Sequence, residues 1–518
     1  MADQQRGSAT VPPAGRPQYE KRSGGKRSLI TWLAVLVALA VIGTLIFVLT
    51  RPDDGANTGT PGEASGSLTV GLTLEPSNLN VRTTPGVALD QVLIDNVYQG
   101  LVGLTPGTLD VVPVLAERYE VSEDGLDYRF ELRDGVRFHS GTELNAEDVV
   151  TSLTETLGDT ITAQAPDERT VTIALEQPNS RLLTLLASRE GLILEAGADN
   201  DLNTSANGTG PYTLASWKQG DSITLRQSAD YWGDPATLDT VVFRYIPDGN
   251  AAVNATLSGD VDVQTAVLPE LSGQFDGNED FTLHLVESTD VFTLAYNNQR
   301  APLDDLTVRQ ALSMAIDQDA LIAALNGQGK PLGSPITELE PGYRDLTATN
   351  GYDPVRAREL LWEAGHEILT LTLTIPNHYP PAVSDLLVSQ FAAIGVTLEV
   401  DQVEFPSWIE DVHANHNFEL SFVDHAEAGD FGNYADPDYY FGYDSARVQE
   451  LYAQALAATD PAQMDDLLGQ AATQVADDAV AKWLYNYTPA TAVRSGVEGF
   501  PMSNTNARIN LAGVTVAE

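Results

Sequence analysis

The segment Leu29–Thr50, "LITWLAVLVALAVIGTLIFVLT", carries no charge and lies between Arg27 and Arg51. A helix of this length, rising about 1.5 Å per residue, crosses a hydrocarbon core of about 30 Å and satisfies its own backbone groups. The segment therefore divides the chain before any other feature counts. Arg6, Arg16, Lys21, Arg22, Lys26 and Arg27 precede it, against Asp3 and Glu20. Basic flanks stay in the cytoplasm, which predicts residues 1–28 inside and the remainder exported. A cleaved signal peptide is the alternative. Its small-x-small site would be Ala38-Leu39-Ala40, inside the apolar run, and cutting there leaves an apolar new N-terminus. The reading is an uncleaved anchor: plasma membrane, single-pass, with the globular part on the extracytoplasmic face.

With 518 residues and no cysteine, the chain is long enough for several lobes and cannot form disulfides, thiolate metal sites or a Cys nucleophile. A lipid-modified N-terminal cysteine is excluded too. The formal net charge of −45 argues against nucleic acid as a partner, because phosphate binding needs clustered Lys and Arg.

Residues 1–28 are polar and rich in Gly, Arg and Pro, a composition that builds no core. Residues 51–67 read as a Gly/Ser/Thr/Pro tether, and "SLTVGLTL" opens the globular part as an alternating strand. "DPVRARELLWEAG" carries helix signals at both ends: Asp353 as N-cap, Pro354 at the first helical position, Gly365 as terminator. In "SDLLVSQFAAIGVTLEV", Ser384 is the expected cap, Leu387, Phe391 and Ile394 form a stripe, and Gly395 ends the helix. Val396, Leu398 and Val400 then share one side of a strand. Repeated helix–strand units predict α/β lobes with largely parallel sheets.

His139 stands among Glu143, Glu147 and Asp148 in "RFELRDGVRFHSGTELNAEDVV" (129–150). That grouping could mark a metal or an acid–base site, but structural roles account for its members. Tyr128, Phe130 and Leu132 alternate with Arg129, Glu131 and Arg133 along a strand. Asp134-Gly135 predicts a hairpin turn with "VRF" returning, and His139 at its end. Asn145 is the expected N-cap of the next helix, with Asp148 at its third position and Leu144 stapling to Val149. Glu147 and Asp148 suit the positive end of the helix dipole.

"SEDGLDYRFELRDGVRFHSGTELNAEDVV" closely resembles the signature of the extracellular solute-binding protein family 5, the peptide/nickel-type substrate-binding proteins of ABC importers. Further blocks follow in that family's order: "DNVYQGLV" (95–102), "GTGPYTLASWKQGDSITLRQSADYWG" (208–233), "LSGDVDV" (257–263), "FTLAYNN" (292–298), "VRQALSMAID" (308–317), "YDPVRARELLWEAG" (352–365) and "YADPDYY" (434–440). The resemblance covers roughly 450 residues. It implies an α/β, two-lobed periplasmic-binding-protein type II fold with an extra subdomain, here preceded by one N-terminal transmembrane helix. The division it implies is a tail (1–28), an anchor (29–50), a linker (51–65), lobe I (66–105, 206–293 and 491–518), the extra subdomain (106–205) and lobe II (294–490). Hinge crossings fall near "FTLAYNN" and "LYNYTPA". The implied function is delivery of an oligopeptide or similar cationic or zwitterionic solute to permease subunits after the lobes close on it, by a monomer without a cofactor.

The same resemblance places ligand-facing residues at Thr84, Pro85, Gly86 and Val87, a pocket-wall aromatic at Trp408, and another candidate at Tyr485; core packing is the competing role for both aromatics. The family's Gly-Trp pair and amine-holding aspartate are missing from "FELSFVDHAEAGDFGNYADPDYY". Counting back from Asp436-Pro437, Asn433 takes the aspartate's place and Asp430 the tryptophan's. Counting forward from "FELSF", His425 takes the tryptophan's place. Asp424, Glu427 and Asp430 remain as anchors for a cation, with His425, Ala426 and Asn433 on the same loop. His413 and His416, with His425 beyond, resemble a metal-ligand set, and a metal chelate is the alternative solute. "HANHNFE" nevertheless reads as a polar loop, where an unsupported His pair is a weak motif. A metal-dependent hydrolase is the alternative of another class; the chain has no Gly-x-Ser-x-Gly, no His-Glu-x-x-His and no phosphate loop.

Overall fold

The computed structural model describes residues 66–84, 86–377, 379, 381–426, 428–504 and 508–517. The expected tail, anchor and linker lie outside them. Among the described residues no helix is long and apolar enough to cross a membrane.

In chain order the strands of the three larger sheets are β1 (Ser67–Leu72), β2 (Ala116–Val121), β3 (Asp127–Leu132), β4 (Thr162–Asp167), β5 (Thr170–Ala174), β6 (Tyr212–Lys218), β7 (Ser222–Gln227), β8 (Thr240–Tyr245), β9 (Val263–Val267), β10 (Phe281–Leu285), β11 (Val291–Tyr296), β12 (Leu369–Pro376), β13 (Val396–Val403), β14 (Leu420–His425), β15 (Ala481–Asn486) and β16 (Ala490–Arg494). Five helices matter below: α1 (Val87–Leu93), α2 (Ala146–Leu157), α3 (Pro354–Glu363), α4 (Pro381–Ala393) and α5 (Ala446–Leu456).

A seven-stranded sheet has the order β10-β16-β9-β1-β8-β7-β6, a five-stranded sheet β13-β12-β14-β11-β15, and a four-stranded sheet β2-β3-β5-β4. Each has its own apolar core: Leu68, Val70 and Phe243 in the first, Leu371, Leu373 and Phe391 in the second, Phe130, Val149 and Leu153 in the third. The sheets are mixed rather than largely parallel. β1 runs parallel to β8 and β9, and β12 to β13 and β14. The chain crosses from the seven-stranded to the five-stranded sheet between Leu285 and Val291 and returns between Asn486 and Ala490. An outward and a return pass along one seam must run in opposite directions. Accordingly β11 pairs antiparallel with β15, and β10 with β16. The passes also bond to each other: Val286 N–H donates to Pro489 O, Tyr487 N–H to Asp290 O, and the Asn486 amide to the Ser288 and Asp290 carbonyls, all at 2.9–3.0 Å.

Local signals are realised at several helices. Asn145 Oδ1 accepts from the N–H groups of Glu147 and Asp148, and Asp148 Oδ2 accepts from Asn145 N–H, completing a capping box. Asp353 caps α3 with Pro354 behind it, and Gly365 lies at φ +81° beyond its end. Leu387, Phe391 and Ile394 are fully buried as a stripe, each contributing roughly 1.5–3 kcal/mol. Ser384, however, is not a cap. α4 begins three residues earlier, at a proline whose missing N–H has no partner to lose in a first turn, and Ser384 Oγ donates to the Pro381 carbonyl. Val396 and Leu398 are buried, whereas Val400 is exposed where β13 runs along the sheet edge.

The expected hairpin after β3 does not form. Asp134-Gly135 makes a turn, but β3 already has β2 on one edge and β5 on the other, so neither edge is free. "VRF" folds onto the following residues instead, Phe138 N–H donating to Thr142 O and Leu144 N–H to Val136 O. His139 thus ends no strand. Its Nε2–H donates to Gly210 O (2.9 Å), its Nδ1 accepts from Gly208 N–H (3.4 Å), and its own N–H donates to Gly208 O (2.8 Å). The ring pins the "GTGP" turn to the four-stranded body, and burial holds its pKa below the ordinary value.

His139→Gln should therefore cost on the order of 1 kcal/mol in denaturant unfolding at neutral pH and leave solute affinity unchanged. A depressed histidine pKa gives stability that is lost as pH falls through the unfolded-state value. The gap between variant and parent should accordingly shrink between pH 7 and pH 5.

Candidate functional site

A cavity of about 730 Å3 lies where the three bodies face one another. Thr73 beyond β1, Thr265 near the end of β9 and Asp424 near the end of β14 line it, so it opens beyond the carboxyl ends of parallel strands, where open α/β sheets leave a crevice. Gly86, Val87 and Asp90 enter from α1, Arg181 and Arg189 from the four-stranded body, and Tyr452 from α5. Asp290 and Tyr487 come from the two crossing segments.

Asp424 and Asp290 dominate the electrostatics. β14 and β11 place Asp424 opposite Phe292, two residues past Asp290. Asp424 N–H donates to the Tyr379 hydroxyl (3.1 Å), but its carboxylate Oδ1 is buried with no hydrogen-bond partner. Burial pushes the Asp424 carboxyl up to about 7; Asp430 adds to the rise and His425 opposes it. Burial and the charge of Asp424 push Asp290 well above the carboxylate range. Two neighbouring acids resist ionising together in a low-dielectric wall. Either a proton or a cation between them relieves this.

Arginines set the other sign. Arg189 binds the carbonyls of Val81, Thr84 and Gly86 and pairs with Asp90. It fixes the loop ahead of α1, where Gly86 at φ +106° has open space around its Cα. Arg508 pairs with Asp95 (3.4 Å) and donates to Ala187 O. Arg181 Nη1 donates to the Tyr452 hydroxyl (3.2 Å).

Of the residues expected at the ligand, Gly86, Val87, Asp424 and Ala426 line the cavity. Thr84 is buried behind it, its Oγ1 donating to Asn78 Oδ1 (2.6 Å). Pro85 and Glu427 lie outside the described residues. Trp408 sits in the core instead, 4% exposed, with Nε1 donating to Ser421 Oγ (2.9 Å). Tyr485 is likewise a core residue, stacked on Phe292 at 4.9 Å. Both are large rings on elements that must bury one face, and packing claims them. His425 is tied back between Asp430 (3.3 Å) and the Tyr440 hydroxyl (3.0 Å). Asp430 and Asn433 fall on a 3-10 turn, Asp430–Tyr434, off the cavity lining.

The stretch read as a polar loop starts on a π-helical turn, Ile409–Ala414, which directs His413 into the rings of Tyr439 and Tyr440. His416, at φ +52°, presents its carbonyl to Asn297. Among the described residues no group of three or more His, Asp or Glu side chains could hold a metal ion. Asp290, Arg181, Arg189 and Tyr487 are site residues without a sequence motif. Asp290 lies two residues ahead of "FTLAYNN", but only the crossing brings it to Asp424.

The profile of the bacterial extracellular solute-binding proteins, family 5 Middle, matches residues 110–448. The dipeptide-binding protein of Escherichia coli is 29% identical over 469 residues, 78% of this chain and 86% of that protein. Di/tripeptide-binding protein 2 of Pseudomonas aeruginosa is 30% identical over 388 residues, 66% of this chain and 71% of that protein. The structure of HbpA2 from Haemophilus parasuis superposes with a TM-score of 0.78 at 22% identity, covering 88% of this chain and all of the other. The family match over 110–448 covers more than half of the chain, and the chain belongs to the bacterial extracellular solute-binding proteins of family 5, the substrate-binding components of ABC importers.

Proposed function

We propose that this protein is a membrane-anchored extracytoplasmic receptor that captures an oligopeptide or similar cationic or zwitterionic solute in the 730 Å3 cavity and hands it to its permease. In this reading the seven-stranded body is lobe I, the five-stranded body lobe II and the four-stranded body the extra subdomain. The crossing at 286–290 and 487–489 is the hinge. A few dihedrals there suffice for closure, and a solute touched from both lobes stabilises the closed form.

One observation carries the choice of solute: the partnerless carboxylate oxygen of Asp424 on the cavity wall beside Asp290. A solute ammonium would fill that vacant acceptor and relieve the repulsion. Peptide-binding relatives and a cavity of peptide dimensions support the same reading. A buried charge left without its partner costs roughly 3–5 kcal/mol. Asp424→Asn should therefore weaken binding of a dipeptide or tripeptide by a hundredfold or more in calorimetry. Asp430→Asn, off the lining, should change affinity by much less. Equal affinities for the parent and Asp424→Asn would remove the anchor from this loop.

The raised carboxyl pKa values also set a pH dependence. The empty site holds protons that a cation must displace, so affinity should rise as pH increases from 5 to about 7, by at most about tenfold per unit for one proton, and then level off. The same groups, raised by folding, make the empty protein lose stability over that interval. Asp424→Asn should flatten the affinity profile.

The anchor rests on residues 29–50 and their basic flank. Full-length protein should remain in the membrane fraction after high-salt washing, with the globular part open to external protease. Mature protein beginning near Val41, or free in the medium, would contradict it.

A further inference from the structure

We infer that Arg181, a residue of the four-stranded body, holds an anionic group of the solute, and that Tyr452 and Gly429 tie this contact to the closure of that body on the five-stranded one. The inference rests on the reading of the cavity as the solute site and adds a second anchor from a body outside the two lobes.

Three arginines line the cavity. Arg189 and Arg508 are each paired with an aspartate. Arg181 has no carboxylate partner among the described residues. Its Nη1 is used by the Tyr452 hydroxyl, which leaves Nε and Nη2, one edge of the planar fork, without a described partner. Such an edge matches the two oxygens of a carboxylate. Asp424 faces the same cavity with an oxygen that also lacks a partner, and the two residues do not pair with each other. Two opposite charges held apart in one cavity leave two unmet requirements. A solute with an ammonium and a carboxylate at separate points meets both, whereas a simple amine meets one.

The position of Arg181 is built rather than incidental. The guanidinium lies over Gly429, where a Cβ would stand 2.5 Å from Nη2 and 3.0 Å from Cζ. Gly429 has φ +75°, and its N–H donates to the buried carboxylate of Glu340 (2.6 Å). One residue earlier, Ser180 N–H and Oγ donate to the carbonyls of Leu456 (2.8 Å) and Ala455 (3.0 Å). Both carbonyls lie at the C-terminal, electronegative end of α5, where Ala455 O also accepts from Ala458 N–H (3.2 Å). Arg181 therefore sits in the seam between two bodies, and an anion on its free edge joins that seam.

The test uses the full-length chain and two probes: a pool of dipeptides of uncharged residues as free acids, and the same pool as C-terminal amides. Apparent affinities come from the rise in melting temperature with concentration. The parent should prefer the free acids by roughly tenfold to a hundredfold, the scale of one charge-assisted hydrogen-bonded contact. Arg181→Ala should bind acids and amides alike, and Arg181→Lys should keep part of the preference. Tyr452→Phe, which leaves the guanidinium in place, should keep most of it. If Arg181→Ala does not fold, Arg181→Gln and Arg181→Lys read the same ratio. A folded Arg181→Ala that retains the full preference overturns the inference and leaves the reading of the cavity standing. A parent that binds both pools equally overturns it as well. A parent that binds neither pool overturns both the inference and the peptide reading.

Discussion

Two short stretches of backbone, 286–290 and 487–489, pass side by side between the large sheets, and the rest of the molecule is arranged around them. They are joined by main-chain bonds and by the amide of Asn486, which spans the carbonyls of Ser288 and Asp290. The crossing accounts for the antiparallel pairs β11–β15 and β10–β16, beside the parallel pairs that β1 makes with β8 and β9 and that β12 makes with β13 and β14. It also places Asp290 and Tyr487 on the cavity wall, so the segments that connect the bodies also face the cavity. In the proposed reading, a binding event that changes the charge state of Asp290 would act directly on the backbone assigned as the hinge.

The chain has 73 acidic and 28 basic residues, and among the described residues most acidic side chains are exposed or half-buried. Asp424 and Asp290 differ from these in burial, not in type. Net charge argues against nucleic acid as a partner but does not say which acid faces the cavity. Arginine shows the same distinction. Arg189 and Arg508 are consumed by structure, while Arg181 keeps one edge of its fork without a partner among the described residues, and no composition or spacing separates the three.

Local rules were legible where one stretch of sequence contains both partners. The Asn145–Asp148 capping box, the Asp353-Pro354 start of α3 and the Leu387/Phe391 stripe each need only a turn or two of chain. They were misleading where a distant strand decides. Asp134-Gly135 has the right turn chemistry, but β5, some 40 residues later, occupies the edge that the return strand needed. Family resemblance supplied the order of the blocks and hence the architecture, and it directed attention to the loop after β14. Which of that loop's acids faces the cavity depends on the tilt of β14 against β11, and that is a three-dimensional quantity. Trp408 and Tyr485 show the converse: both belong to the right elements, and both point into cores.

The loop after β14 is where the chain departs from the resemblance noted in its sequence. Without the usual Gly-Trp pair, it is held from outside. Glu340 receives the N–H of Gly429 and the N–H and hydroxyl of Thr337, and burial raises its carboxyl to about 7 against those stabilising bonds. His425 is clamped between Asp430 and Tyr440. In the proposed reading, these two tethers lower the conformational entropy that solute binding would cost, because part of the ordering is already done on folding.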